Sequence, residues 1–310
     1  MKSVLIFASF YRIIAPILFL ILSPLLIIIN WTLISLHKVP PFNSRGKVIV
    51  ITGASSGIGA ETAKRYAQQG AKLILIARRK PELKAVAESC QHLGAQLVRI
   101  HSLDVTNEEA LKTAIQETGN EFGCIDLVLW NAGNGMVEKI RDCNDASIFR
   151  RLTELNYLSV VAGTVYALPY LKKSARGKVG VVSSICGITA APSSSGYCGT
   201  KFGLKGFFDC LRIEEPTLDV SMIYPGMVTT DIFDKVEGSS PNKVTPKNTL
   251  SQVMTPTEAA DLIVHAIDKG FRDEVFTLEG NVLWYLKDFY SVVVNALTTF
   301  GYEAALTKKS

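Results

Sequence analysis

Residues 47–59 read Lys47-Val48-Ile49-Val50-Ile51-Thr52-Gly53-Ala54-Ser55-Ser56-Gly57-Ile58-Gly59. The β-branched run that stops at glycines predicts a strand, and the Ala-rich stretch after it, ending near Gly70, predicts a helix. The unit recurs downstream. Apolar runs at 71–77, 95–103, 125–130, 178–184 and 219–224 alternate with helical segments, among them one from Pro81 to near Gly94 and one from about Asn107. Continuous apolar strands alternating with helices imply a parallel sheet covered on both faces, hence an α/β fold with a doubly wound parallel sheet. In such sheets ligands lie at the C-terminal ends of the strands.

The glycines of residues 53–59 stand at such an end. They let the turn bend tightly and let backbone N–H groups approach a pyrophosphate at a helix N-terminus. Their spacing is G-x-x-x-G-x-G, so the commoner dinucleotide fingerprint is not met literally. The end of the second strand discriminates between cofactors, because an acidic residue there would bind the ribose 2′-OH of NAD. This chain has Arg78 and Arg79 instead, and a guanidinium suits the 2′-phosphate of NADP.

Tyr197-Cys198-Gly199-Thr200-Lys201 opens a helical stretch running to about Arg212, and residues four apart share a helix face. A free tyrosine titrates near pH 10; a neighbouring ammonium lowers that value by favouring phenolate, which makes Tyr197 a usable acid. Ser184 ends the preceding strand, so its hydroxyl is expected beside Tyr197, ready to donate to a carbonyl oxygen.

Together these residues resemble the short-chain dehydrogenase/reductase family, in its membrane-anchored branch near the 11β-hydroxysteroid dehydrogenases and related microsomal reductases. The resemblance covers roughly residues 46–230. Its marks are Thr52-Gly53-x-x-x-Gly57-x-Gly59, Asp104 after the third strand, Asn131-Ala132-Gly133 after the fourth, Asn156, Ser184, Tyr197, Lys201 and Pro225-Gly226. It implies a single-domain Rossmann-type fold in which Tyr197 donates a proton, Lys201 lowers its pKa and holds the nicotinamide ribose, and Ser184 orients the carbonyl. Asn156 would hold the water that links Lys201 to solvent. The same resemblance implies NADP(H) contacts from Gly53, Ser55, Ser56, Gly57, Ile58, Gly59, Arg78, Arg79, Asp104, Val105, Asn131, Ala132, Gly133, Tyr197, Lys201, Pro225, Gly226, Val228 and Thr230. Two positions depart from the family pattern: Trp130, where a smaller residue commonly precedes Asn131, and Gly199 within the Tyr-Lys turn. Neither removes a reacting group.

The two ends of the chain are of other material. From Ile13 to Leu36 run 24 residues without a charge. As a helix rising about 1.5 Å per residue they would cover the roughly 30 Å of a bilayer's hydrocarbon. Residues 1–40 are therefore expected to be a membrane anchor and linker. Pro16 and Pro24 leave a single span and a hairpin or monotopic anchor both open. The resemblance implies the endoplasmic reticulum, and the lack of a downstream glycosylation sequon leans the catalytic part toward the cytosol. Residues 41–310 form the catalytic domain, with a substrate lid at about 228–254 ahead of the capping sequence Thr255-Pro256-Thr257-Glu258. An apolar segment at 282–300 carries Lys287 and Asp288, and is expected to pack on the domain, a subunit or the bilayer surface.

Composition narrows the partners. Lys plus Arg number 33 and Asp plus Glu 28, a net +5 too scattered for a nucleic-acid surface. Six scattered cysteines and four histidines suggest neither a metal site nor a disulfide scaffold. The expected partners are a lipophilic carbonyl or alcohol substrate of the steroid, retinoid, sphingoid or long-chain acyl class, the membrane, and a second copy of the chain as a homodimer. The alternative is an NADP-binding pseudoenzyme serving as a membrane-bound sensor or scaffold.

Overall fold

The computed structural model describes residues 41–230, 236–238, 253–286 and 298–299, with residues 14, 21–25, 28–29 and 32 of the N-terminal segment. The chain divides into two compact units, Met1–Pro40 and Pro41–Ser310. In the first, the described residues are helical, and Ile21, Leu22, Leu25, Ile28 and Ile29 are exposed. Among the described residues no helix is long and apolar enough to cross a membrane. Most of the Ile13–Leu36 run expected to do so lies outside them, so the spanning helix rests on sequence alone.

The second unit is built on a seven-stranded parallel sheet in the order β3-β2-β1-β4-β5-β6-β9. Its strands are β1 (Val48–Thr52), β2 (Lys72–Ala77), β3 (Leu97–Ser102), β4 (Leu127–Trp130), β5 (Lys178–Val182), β6 (Asp219–Tyr224) and β9 (Asp273–Val275). Two short strands between them, β7 (Met227–Val228) and β8 (Val253–Met254), pair with each other. The helices are α1 (Gly57–Gln68), α2 (Lys80–His92), α3 (Glu108–Phe122), α4 (Ser147–Thr153), α5 (Ser159–Leu171), α6 (Ser195–Glu214), α7 (Pro256–Lys269) and α8 (Leu278–Leu286).

Successive strand residues point to opposite faces, and both faces are apolar. Val48, Val50, Ile74 and Ile76 join Leu111, Ile115, Val160, Leu204 and Phe208 in a core beneath α3, α5 and α6. Ile49, Ile51, Leu73 and Leu75 join Ala63, Tyr66, Leu83, Ile263 and Ile267 beneath α1, α2 and α7. Each fully buried aliphatic side chain contributes about 1.5–3 kcal/mol, so the two layers fix which helices cover which face. The strand order reverses between β1 and β4, and the crevice outside the strand ends opens at that switch point.

The helix signals act where expected. Asn107 caps α3 by accepting from Ala110 N, and Thr255 with Glu258 forms a reciprocal capping box on α7. Of the seven strands of the main sheet, the edge strand β9 is the one the sequence reading lacks; Asp273-Glu274-Val275 is short and mostly polar, and it is set by pairing with Met222–Tyr224. Trp130 fits because Gly163 of α5 faces it: a β-carbon there would lie 2.3 Å from Trp130 Cη2.

Much of the expected lid lies outside the described residues, but its two ends are clasped by the β7–β8 pairing and by Thr229 N donating to Met254 O at 2.9 Å. Its residues 236–238 lie against the segment after β4. There Val137 N donates to Glu237 O at 2.9 Å, and Arg151 pairs with Glu237 at 2.9 Å. The start of the apolar C-terminal segment packs on the domain through Trp284, whose ring lies 5.3 Å from that of Tyr224 and is tilted 56° to it.

Candidate active site

The C-terminal ends of β1 to β6 border one cavity of ≈ 570 Å³. The turn after β1 brings Gly53, Ser55, Ser56, Gly57 and Ile58; the end of β2 brings Arg78 and Arg79; the turn after β3 brings Asp104 and Val105. From beyond β4 come Asn131, Ala132 and Gly133, and from beyond β5 and the start of α6 come Ser184, Tyr197 and Lys201. Pro225, Gly226, Val228 and Thr230 follow β6. Of the catalytic and cofactor-contact residues expected from the sequence, all but Gly59 and Asn156 are on the lining.

Both of these lie one layer back. A β-carbon on Gly59 would sit 2.5 Å from both Gly53 O and Asn131 Nδ2, so α1 can approach β1 and β4 only with glycine there. Asn131 closes the same junction: its Nδ2 donates to Thr52 O at 3.0 Å, and its backbone N–H donates to Thr52 Oγ1 at 3.0 Å. Asn156 lies in a π-helical turn, Glu154–Leu158, and is fully buried. Its Oδ1 accepts from Asn134 N at 2.8 Å, while its Nδ2 donates to Asn134 O at 2.8 Å and to Thr200 Oγ1 at 3.2 Å. The amide thus ties the segment after β4 to α6 from behind the cavity wall.

Ser56 is the N-cap residue of α1, yet its hydroxyl does not cap the helix. It accepts instead from Arg79 Nη2 at 2.5 Å, and Ser55 Oγ accepts from the same nitrogen at 3.2 Å. The first turn of α1 is therefore left without a cap from its own serine, whose hydroxyl instead holds the Arg79 guanidinium. Arg78 pairs with Asp104 at 3.4 Å and remains largely exposed. Asp104 Oδ1 also accepts from the backbone N–H and the hydroxyl of Thr106, and its carboxyl is held below its ordinary range although burial opposes this.

At the other end of the cavity, Lys201 is 4% exposed and its Nζ donates to Val182 O at 2.9 Å. The ammonium lies 5.6 Å from the centre of the Tyr197 ring. Burial lowers the lysine from 10.5 to about 8. Tyr197 is hydrogen-bonded to Ser184, as expected, but its pKa is raised, not lowered. The cause is burial first and the Cys186 side chain second, with the Ser184 bond opposing them. The sequence expectation that the ammonium would pull the phenol down is overturned by desolvation: Tyr197 is held as the protonated phenol.

The rest of the lining includes the apolar side chains of Met136, Val137, Leu155, Ile185, Pro192 and Val236. All but Val236, which falls within the expected lid, escaped the sequence reading because they are dispersed over separate segments. Among the described residues no cluster of His, Cys, Asp and Glu could hold a metal ion.

The short chain dehydrogenase family profile matches residues 47–240. A relative from Dictyostelium discoideum, "Dehydrogenase/reductase SDR family protein 7-like", is 31% identical over 93% of this chain and 92% of its own length. The Arabidopsis thaliana protein "11-beta-hydroxysteroid dehydrogenase-like 4A" is 34% identical over 78% of this chain and 80% of its own. Among solved structures, an alcohol dehydrogenase from the archaeon Thermococcus sibiricus, complexed with 5-hydroxy-NADP, superposes with a TM-score of 0.65 at 31% identity. The match covers 76% of this chain and 96% of that one. By sequence and by fold, this chain belongs to the short-chain dehydrogenase/reductase family of oxidoreductases.

Proposed function

We propose that the chain is an NADP(H)-dependent oxidoreductase that interconverts a carbonyl and a secondary alcohol on a lipophilic substrate of the steroid, retinoid, sphingoid or long-chain acyl class, at a membrane. The observation that carries the reading is that Ser184, Tyr197 and Lys201 line the same cavity as the glycine turn. The residues present fit a dinucleotide. The start of α1 is uncapped by its own serine, Gly53 has φ +68 where a β-carbon would meet Ala132 Cα at 2.9 Å, and the volume is of the size that ligand sites have.

Arg79 with Ser55 and Ser56, and the exposed Arg78, would hold a 2′-phosphate. The Arg78–Asp104 pair is exposed and worth at most about 1 kcal/mol, so it yields readily to a bidentate phosphate contact. A bound nicotinamide supplies or accepts the hydride. The chain's own groups do the rest. Ser184 donates to the carbonyl oxygen, the Tyr197 hydroxyl passes its proton to that oxygen, and Lys201, charged below about pH 8, stabilises the phenolate left behind. The apolar wall from Met136 to Val236 supports a lipophilic substrate, and the uncharged Ile13–Leu36 run supports the membrane.

The test is turnover of a panel of lipophilic carbonyls with purified full-length protein, trapping the product alcohol as NADPH is oxidised. Tyr197→Phe should lower the rate by about 10²–10⁴-fold while leaving NADPH binding intact. Full turnover by that variant refutes the proton-donor role. Tighter binding of NADH than NADPH refutes the cofactor assignment. NADPH binding without any alcohol formed across the panel is the result a sensor or scaffold would give.

A further inference from the structure

Residues 236–238 reach the cavity as a strap to which hydride transfer itself gives no role. Val236 lines the cavity, and the strap docks on the segment after β4 through one step of parallel pairing between Glu237 and Met136. Glu237 N donates to Gly135 O at 2.9 Å, and Val137 N donates to Glu237 O at 2.9 Å. The fit is close at both ends. A β-carbon on Gly135 would stand 3.2 Å from Val236 Cγ1, and one on Gly238, whose φ is +100, would stand 2.8 Å from Glu138 Cβ and 2.9 Å from Val137 O. Met136, the residue paired with Glu237, shares a buried cluster with Ile148 and Leu152 of α4, and Tyr197 packs against that cluster. The buried face of α4 therefore supports the reacting end of the cavity.

The same helix carries Arg151, whose guanidinium is held on two sides. Its Nη1 donates to Ser147 Oγ at 2.5 Å, and Asp145, which accepts from Ser147 N at 2.9 Å, lies 3.7 Å from that nitrogen. The other edge faces Glu237: Nε donates to Oε1 at 3.4 Å and Nη2 donates to Oε2 at 2.9 Å. A planar fork already fixed by its own helix takes a carboxylate bidentately with little further loss of freedom, so it sets geometry as well as charge. We infer that Arg151 is a specificity-determining positioning residue: through Glu237 it fixes Val236 in the cavity wall, and so sets the affinity for substrates large enough to meet that wall. The effect on substrates rests on the proposed carbonyl reduction; the hold on the strap rests on these contacts alone.

Arg151 is not among the described residues that line the cavity, so its influence passes through the strap. The paired side chains are 52% and 26% exposed, and solvent screening limits such a contact to a factor of about 5. Two backbone hydrogen bonds hold the strap as well, so losing the ion pair loosens it without releasing it. A wall that the substrate meets on binding acts alike on the ground state and the transition state. Its loss therefore raises KM and leaves kcat unchanged.

The test compares the full-length parent, Arg151→Met, Glu237→Ala and the double variant on a ketone series from cyclohexanone to androstanedione with NADPH. Each single variant should raise KM by about 5-fold for the largest ketone reduced, and leave kcat, the KM of the smallest and the Kd of NADPH unchanged. The double variant should be no worse than either single one, because both remove the same contact. Gly238→Ala, which lifts the strap backbone and leaves the ion-pair residues in place, should reproduce the dependence on ketone size. Hydrogen exchange, which needs no turnover, should show the Val137 and Glu237 amides exchanging about 5-fold faster in Arg151→Met than in the parent. Single losses that multiply in the double variant, KM changes of equal size across the series, or a fall in kcat without a rise in KM overturn the positioning role. Unchanged exchange at both amides overturns the hold on the strap. A parent protein that reduces no ketone refutes the proposed function instead, and the exchange measurement still decides whether Arg151 holds the strap.

Discussion

Lys201 is a charged group buried at a cost, and replacing it with methionine should make that cost visible. Its ammonium is 4% exposed and is brought from 10.5 to about 8 by burial. That fall corresponds to about 3 kcal/mol lost from the native state while the lysine is charged. The unfolded chain keeps the proton up to 10.5 and the folded chain only to about 8. Between these values the unfolded state binds more protons, so the stability of the parent protein rises with pH across that window. Lys201→Met removes the charge and one hydrogen bond, that to Val182 O, worth about 1 kcal/mol. The variant should therefore be more stable by about 2 kcal/mol at pH 7, and the two proteins should converge by about pH 10 as the parent recovers what it lost. Urea unfolding of the cofactor-free proteins at both pH values reads the difference directly. Turnover should collapse in the variant at every pH, and in the parent reduction should decline above about pH 8 as the ammonium is lost. A variant that is less stable at pH 7, or an advantage that stays constant with pH, refutes the argument that burial of this charge sets its pKa.

Two further predictions concern the scaffold. Gly163→Ala should destabilise by about 1–2 kcal/mol even though alanine is the better helix former, because the new methyl would stand 2.3 Å from Trp130 Cη2; measured in a Trp130→Leu background the same change should cost much less in thermal unfolding, and simple additivity would show that the contact is not the cause. Asp268 has its pKa raised from 3.8 to about 6, chiefly by burial, so the folded state holds the extra proton and native stability falls as pH rises between these values. Asp268→Asn should add about 2 kcal/mol above pH 6 and nothing below about pH 4, and a gain that persists in acid would refute the assignment to burial of the charge.

The fold was legible because its strands are buried on both faces and so read as unbroken apolar runs ending in turn residues. The glycine-turn side of the cavity was legible for a related reason: its lining residues come from short turns directly after those runs, where chain order and spatial order coincide. Features that depend on two distant segments meeting were not. Trp130 stood out in the sequence as oversized, and only the packing of α5 shows Gly163 answering it. Asn156 stands out through the family resemblance, but its layer, behind the wall and bound to Asn134, follows from a π-helical turn that no propensity signals.

The protonation states were the least legible, and they matter most to the chemistry. The sequence argument weighed one neighbour, the ammonium one helical turn from the phenol, and gave it the deciding influence. In the folded chain, loss of water acts on both groups at once and against the charged form of each, so the phenol keeps its proton more firmly while the lysine holds its own less firmly. A phenol whose pKa is raised keeps its proton but is a weaker acid than a free one, so in the proposed reaction the proton leaves only where the phenolate is stabilised. The Lys201 ammonium, brought to about 8, is charged at neutral pH and is the group that can supply that stabilisation.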